Sequence, residues 1–217
     1  MTENIKILPN YLINRYKDWK ATEYDKNKAW YTKIAIEGQN PEAMVISCCD
    51  SRIHVTSMFG ADKGEFFIHR NIANLVPPYN PDGDHHGTSA AVEYAVKTLN
   101  ISNIMILGHS HCGGIASGYN LCKGNKNSDA SIFVNKWLNI LKPAYENIAK
   151  TDIQSDKEGI KKLEKESIKI SLNNLTDFPF IKNALKKNNL VLHGLWHDIA
   201  LGKLEMLDPN SMKFIGI

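Results

Sequence analysis

Arginine, cysteine and long apolar runs are all scarce in this sequence, and each shortage excludes something. Of 26 basic residues only Arg15, Arg52 and Arg70 are arginines, and the lysines are interspersed with acids instead of gathered in a stripe. With a net charge of +3, the electrostatic footprint of a nucleic-acid binder is missing. The longest apolar runs, Ala43 to Ile46 and Ile104 to Leu107, fall far short of the roughly 18 residues a membrane span requires. Met1 to Lys20 lacks the charged, apolar, small order of a secretory signal, so a cytoplasmic chain without membrane or nucleic-acid partners is expected. Four cysteines, at 48, 49, 112 and 122, are too few and too unevenly placed for a disulfide framework. A chain of 217 residues buries enough surface to fold without a metal, so any metal here serves chemistry.

What is present reads as one α/β domain. Between Tyr11 and Ile36, apolar and aromatic residues recur at spacings of three and four, predicting one or two amphipathic helices that end at Gly38 and Pro41. Short apolar runs at Ala43 to Cys49, Glu65 to Arg70, Ile104 to Gly108 and Leu190 to His193 predict buried strands. Thr88 to Leu99 has helical spacing behind a Thr88 or Ser89 cap. Residues 128–150 and 155–188 read as Lys- and Asn-rich surface helices without chemistry, and residues 203–207 and 212–217 as a closing hairpin around Asp208, Pro209 and Asn210. Strands alternating with helices argue for a largely parallel sheet flanked by helices, with ligands gathered at the carboxyl ends of the strands.

Two of those strand ends carry unusual residues. After the first comes Cys48-Cys49-Asp50-Ser51-Arg52, and after the third Gly108-His109-Ser110-His111-Cys112-Gly113-Gly114. In extended backbone alternate side chains share a face, so Cys48, Asp50 and Arg52 enter one cleft while Cys49 and Ser51 point away. His109 and Cys112, three apart, converge as a turn enters a helix. Two thiolates and one imidazole without a fourth protein ligand form a catalytic zinc pattern, open at one position for water. Either segment alone fits buried thiols and a loop histidine equally well. The shared register of Asp50 and Arg52 with Cys48 favours the metal.

With these residues in place the sequence resembles the β-class carbonic anhydrases. Cys48, Asp50 and Arg52 meet the family's Cys-x-Asp-x-Arg motif, and His109, Cys112, Gly113 and Gly114 its second motif. Segments 67–76, 92–96 and 192–196 also look like family segments in family order. The resemblance implies a single β-carbonic-anhydrase-like domain, 1–38 as a helical arm and 39–217 as the α/β core. It implies one Zn2+ per chain on Cys48, His109 and Cys112, and reversible hydration of CO2 to bicarbonate and a proton by a zinc-bound hydroxide. Asp50 would orient that hydroxide and Arg52 would hold Asp50 ionised. Two thiolates neutralise the ion's charge, so activity rising toward alkaline pH is expected. Gln39, Phe67, Tyr94 and Gly113 take the places of substrate-pocket residues.

The resemblance further implies a homodimer or an assembly of dimers, with the arm on a neighbouring subunit and Gln39 or Tyr94 completing the other chain's pocket. Some family members are inhibited when bicarbonate fills a Trp-Arg-Tyr pocket; Val45, Arg70 and His197 stand there, so an open site with an intact Asp50–Arg52 pair is expected. Solvated His85 and His86, a His111 turned away from the ligands, structural His193 and His197, a core Cys122 and an oxidation-sensitive Cys49 complete the expectations. The rivals are a CS2 or COS hydrolase on the same zinc, and a zinc-binding protein without turnover.

Overall fold

The short apolar runs become the middle of a sheet in the computed structural model, which describes residues 4–124 and 131–217. The chain separates into two compact units, Met1–Asn40 and Pro41–Ile217. In the first, α1 (Asn10–Trp19) and α2 (Lys28–Glu37) are joined by one π-helical turn and one 3-10 turn, and Gly38, at φ 77°, ends α2. These are the two helices expected from the Tyr11 to Ile36 pattern.

In the second unit β1 (Ala43–Cys48) is buried at every position and lies between two parallel neighbours, β2 (Phe66–Asn71) and β3 (Asn103–His109). β4 (Val191–Asp198) continues the parallel set, and β5 (Lys203–Leu207) and β6 (Phe214–Gly216) close one edge antiparallel, giving the order β2-β1-β3-β4-β5-β6. Strands covered on both faces need no polar alternation, which is why β1 reads as an unbroken apolar run. Asp208 turns the closing hairpin by accepting from the N–H groups of Asn210 and Ser211 at 3.2 and 3.0 Å.

The helices of this unit are α3 (Val55–Phe59), α4 (His86–Lys97), α5 (Gly113–Cys122), α6 (Ile132–Leu138), α7 (Lys142–Ala149), α8 (Asp156–Asp177) and α9 (Pro179–Lys186). The expected helical segment 128–150 begins with three residues that lie outside the described ones. On one face of the sheet Met44, Ile46, Ile104, Ile106 and Trp196 meet Ile168 and Leu175 of α8; on the other Val45, Leu107 and Leu195 meet Ile53 and Val55. Burying each such side chain contributes about 1.5–3 kcal/mol.

Three elements differ from the sequence reading. First, β4 runs five residues past His193. Its Gly194 interrupts the apolar pattern because α8 lies against the strand: a Cβ there would come within 2.9 Å of Ile168 Cγ2, and one at Gly108 on β3 within 2.8 Å of Ile168 Cδ1. Second, α8 is a core helix with a lysine-rich outer face, since Leu163, Glu164, Ser167, Ile168, Ser171 and Leu175 form one buried stripe. Ser155 caps it by accepting from the Glu158 N–H, and Glu158 accepts from the Gln154 N–H in return. Third, neither Thr88 nor Ser89 caps α4, which begins at His86. The buried Thr88 hydroxyl instead meets His69 and Asn71 of β2, at 3.0 and 3.2 Å.

Candidate metal centre

β1 and β3 are parallel neighbours that end together, so the residues closing them meet at one edge of the sheet. Cys48 is the last residue of β1 and His109 the last of β3, and Cys112 opens α5. Between the two β3-side residues the chain reverses through His111, whose φ of 56° turns its side chain outward and brings Cys112 back beside Cys48. The ligating atoms of Cys48, His109 and Cys112 lie within 4.8 Å of one another, all three residues buried. Cys49 is exposed, so strand parity separates the two adjacent thiols as the sequence suggested.

The donor set fits zinc on three observations. The sulfurs are 3.8 Å apart, far beyond a disulfide; two sulfurs at about 2.3 Å from one tetrahedral zinc would be about 3.8 Å apart. His109 uses Nδ1 on the Ser110 carbonyl at 2.9 Å, which orients the ring. Its Nε2 is buried without a hydrogen-bond partner among the described residues, beside the two sulfurs. Such an orphaned atom is costly unless something is there to accept its lone pair.

The electrostatics agree. Hydrogen bonding with Cys112 pulls the Cys48 thiol down to about 4 against the opposing effect of burial, assisted by His109 and by the N–H groups of Asp50 and Ala73. Sharing that proton and burial push Cys112 up, although the N–H groups of Gly114 and Ile115 at the start of α5 face its sulfur. Burial disfavours a charged His109, yet the Cys48 sulfur and the Ser110 carbonyl outweigh it and leave the imidazole above its ordinary value. A divalent cation would replace the proton that the two thiols share and give His109 Nε2 a partner.

Asp50 sits beside this cluster with Oδ2 3.9 Å from His109 Nε2. Arg52 holds it in a fork, Nε to Oδ1 at 2.9 Å and Nη2 to Oδ2 at 2.7 Å, and the Arg52 N–H adds a third bond at 3.0 Å. The hydrogen bonds from Arg52 keep the carboxyl well below the usual carboxylate range, leaving Asp50 an acceptor. Arg52 also donates to the His111 carbonyl at 3.0 Å, tying the two ligand loops together. Arg70 reaches across from β2 to the carbonyls of Cys48 at 2.9 Å and Asp50 at 2.7 Å. Two of its donors are therefore engaged inside the chain.

Sequence reasoning missed Glu164. It lies on the α8 stripe, accepting from the Cys112 N–H at 3.2 Å and from Trp196 Nε1 at 3.3 Å, and burial raises its pKa. A glutamate in register with Ile160, Leu163 and Ser167 on an otherwise apolar face was the available signal. A cavity of about 580 Å³ opens against Cys112, Gly113, Glu164 and Trp196, on the α8 side of the loop.

The remaining expected site residues are distributed over β2, α4, α5 and the N-terminal unit. Phe67 and Tyr94 face one another with ring centroids 5.9 Å apart. Phe67 is level with Met44, four residues or about 13 Å along the strand from the level of Cys48. Gly113 is exposed at the first position of α5, and Gln39 is exposed at the end of the N-terminal unit. His193 bonds Asn103 Oδ1 at 3.0 Å, His85 packs edge-on against Trp137, and Cys122 is half-buried.

Comparison with known proteins agrees with this geometry. The carbonic anhydrase family model matches residues 43–204. β-Carbonic anhydrase 3 of Arabidopsis thaliana is 36% identical over 190 residues, covering 87% of this chain and 72% of that protein. Among solved structures, the β-carbonic anhydrase CcaA superposes with a TM-score of 0.84 at 26% identity, over 96% of this chain and 91% of that one. A tetrameric β-carbonic anhydrase of Sordaria macrospora gives 0.79 at 30% identity, over 96% and 98%. With two thiols and an imidazole converging where that fold brings its strands together, the chain belongs to the β-carbonic anhydrase family, whose zinc the Cys48, His109 and Cys112 cluster is built to hold.

Proposed function

We propose that this enzyme hydrates CO2 reversibly to bicarbonate and a proton, with Cys48, His109 and Cys112 as its zinc ligands and Asp50 and Arg52 as its catalytic pair. The observation that carries the reading is the Asp50–Arg52 fork set beside three convergent ligand atoms. Zinc, when bound there, would supply the Lewis acidity that lowers the pKa of water, less strongly with two thiolate ligands than with imidazoles alone. Asp50 can only accept, so it would accept a hydrogen bond from the attacking oxygen and leave that oxygen's lone pair free to aim at the CO2 carbon. Arg52 fixes both carboxylate oxygens and excludes the protonated, donating form. Gly113 opens α5 beside Cys112, where a helix N-terminus favours the negative charge of bicarbonate.

Gln39, Phe67 and Tyr94 complete a substrate pocket in an assembly of at least two chains. Two observations support this. The Phe67–Tyr94 pair lies well down the strand from its own chain's Cys48, and the relative from Sordaria macrospora is tetrameric. Residues 1–38 serve as the arm of that assembly and 39–217 as its catalytic core, in the cytoplasm; no helix among the described residues is long and apolar enough to cross a membrane. Stopped-flow CO2 hydration with metal analysis on one sample tests the reading. One zinc per chain with rapid turnover is expected. One zinc without turnover would favour a binding protein, and turnover of CS2 or COS alone would favour the rival hydrolase.

A further inference from the structure

The turn between β2 and α4 is strained where a strained backbone has no evident use for the fold. Ala73 and Asn74 both have left-handed backbones, at φ 65° and 50°, and neither is glycine. Each is buried, Ala73 completely. Asparagine tolerates the left-handed region, but for an alanine it costs free energy and persists only where the surroundings impose it.

What imposes it here is Asn71. Its side-chain Oδ1 accepts from the Leu75 N–H at 2.9 Å and its Nδ2 donates to the Leu75 carbonyl at 2.8 Å, so one amide closes both ends of the turn from 71 to 75. The same Nδ2 bonds Thr88 Oγ1 at 3.2 Å, and the Asn71 carbonyl accepts from the Cys49 N–H at 2.9 Å. Asn71 is thereby fixed to α4 on one side and to the end of β1 on the other, level with Cys48.

The clamped turn lies between the two thiol segments. Its Ala73 is buried in one cluster with Cys48, Cys112 and Ile115. Its other side meets the start of α5 so closely that a Cβ on Gly114 would fall 2.8 Å from Ile72 Cγ2 and 3.1 Å from Ala73 Cβ.

Resting on the zinc reading above, we infer that Asn71 is a positioning residue of the metal centre: it clamps residues 72–74 in a left-handed turn that packs between the Cys48 and Cys112 segments and sets their spacing. Asn71 touches no ligand atom and acts through the turn. Outer-shell partners of this kind typically account for 10–100-fold in metal affinity.

The test uses the full-length protein and four variants: Asn71→Ala, Asn71→Asp, Ala73→Gly and the double variant Asn71→Ala with Ala73→Gly. Zinc affinity is read by chelator competition, and the sulfur-to-metal charge-transfer band is read on Co2+ added to the apoprotein. Asn71→Ala is expected to weaken zinc binding 10–100-fold and to shift the Co2+ band. Asn71→Asp keeps the acceptor for Leu75 N–H but loses the donor, and should fall between Asn71→Ala and the parent. Glycine adopts positive φ freely, so the double variant should recover part of the lost affinity, which a merely space-filling Asn71 would not allow. If Asn71→Ala does not fold, Asn71→Asp is compared with its own Ala73→Gly derivative under the same criteria. Zinc affinity within twofold of the parent with an unchanged Co2+ band, or a loss that glycine at 73 does not relieve, would overturn the inference. A parent protein that binds no zinc would instead sink the functional reading on which it rests.

Discussion

The corner where β1, β3 and α5 meet and the N-terminal unit are built on opposite terms. In the corner Cys48, His109 and Cys112 are buried and the surrounding groups are bonded to one another through Arg52, Arg70, Asn71 and Glu164. In the N-terminal unit neither α1 nor α2 has a single buried residue, although Tyr16, Trp19, Tyr24, Trp30 and Tyr31 pack ring against ring. The corner is specified by its own chain. These helices leave Tyr11, Leu12, Tyr16, Trp19 and Ile36 exposed, which suits the proposed role of residues 1–38 as the arm of an assembly.

The sharpest way to break this contrast is at Cys48. Cys48→Ser should abolish stoichiometric zinc and with it CO2 hydration, whereas Cys49→Ser, one residue away and exposed, should retain both. Metal analysis of the two purified variants decides. Zinc lost from Cys49→Ser and kept in Cys48→Ser would reverse the ligand assignment.

Asp50→Asn should keep zinc and the fold but lower kcat by about 10²–10³-fold, since an amide can donate where a carboxylate only accepts. The Arg52 fork would be left with one oxygen to hold. Stopped-flow rates per bound zinc measure the effect, and near-normal turnover would remove Asp50 from the chemistry.

Gly114→Ala probes how tightly the corner is packed. The added Cβ would meet Ile72 and Ala73 inside contact distance, and overpacking of this kind costs about 1–3 kcal/mol. Thermal unfolding should show a fall of roughly 2–12 °C, and zinc should bind more weakly as the turn is pushed aside. Gly113→Ala, whose Cβ would meet nothing within 4 Å, is the control.

The corner was also the more legible part of the sequence, for a chemical reason. Cys48, Asp50, Arg52, His109 and Cys112 are residue types that seldom gather at strand ends without a task, and parity along β1 was enough to choose Cys48 over Cys49. The supporting groups were not legible because they come from distant segments. Glu164 reaches Cys112 only because Gly108 and Gly194 let α8 lie on the sheet, a close approach that no local pattern encodes. The same glycine hid the full length of β4. The left-handed turn at Ala73 and Asn74 was not legible either, since turn preferences place glycine or asparagine, not alanine, at positive φ.

The smallest effect on the chemistry should come from the N-terminal unit. Trp19 is the hub of the aromatic cluster, with Tyr16, Tyr24 and Tyr31 each 5.9 Å away between ring centroids. Aromatic pairs contribute about 0.5–1.5 kcal/mol each beyond area burial, so Trp19→Ala should loosen how α1 sits on α2. A loss on the order of 1.4 kcal/mol in the surface the arm offers a second chain would weaken association about tenfold. Sedimentation over a range of concentrations should therefore show dissociation at higher protein concentration than for the parent, with zinc content per chain unchanged. Turnover per zinc should fall only where the smaller species dominates, because Gln39, Phe67 and Tyr94 then have no second site to complete. If zinc content fell along with association, the arm would be part of the metal centre's support and the contrast between the regions would fail. If association did not change, the partner surface would lie outside the aromatic cluster, and the exposed Ile5, Ile7 and Leu8 would be the next residues to replace.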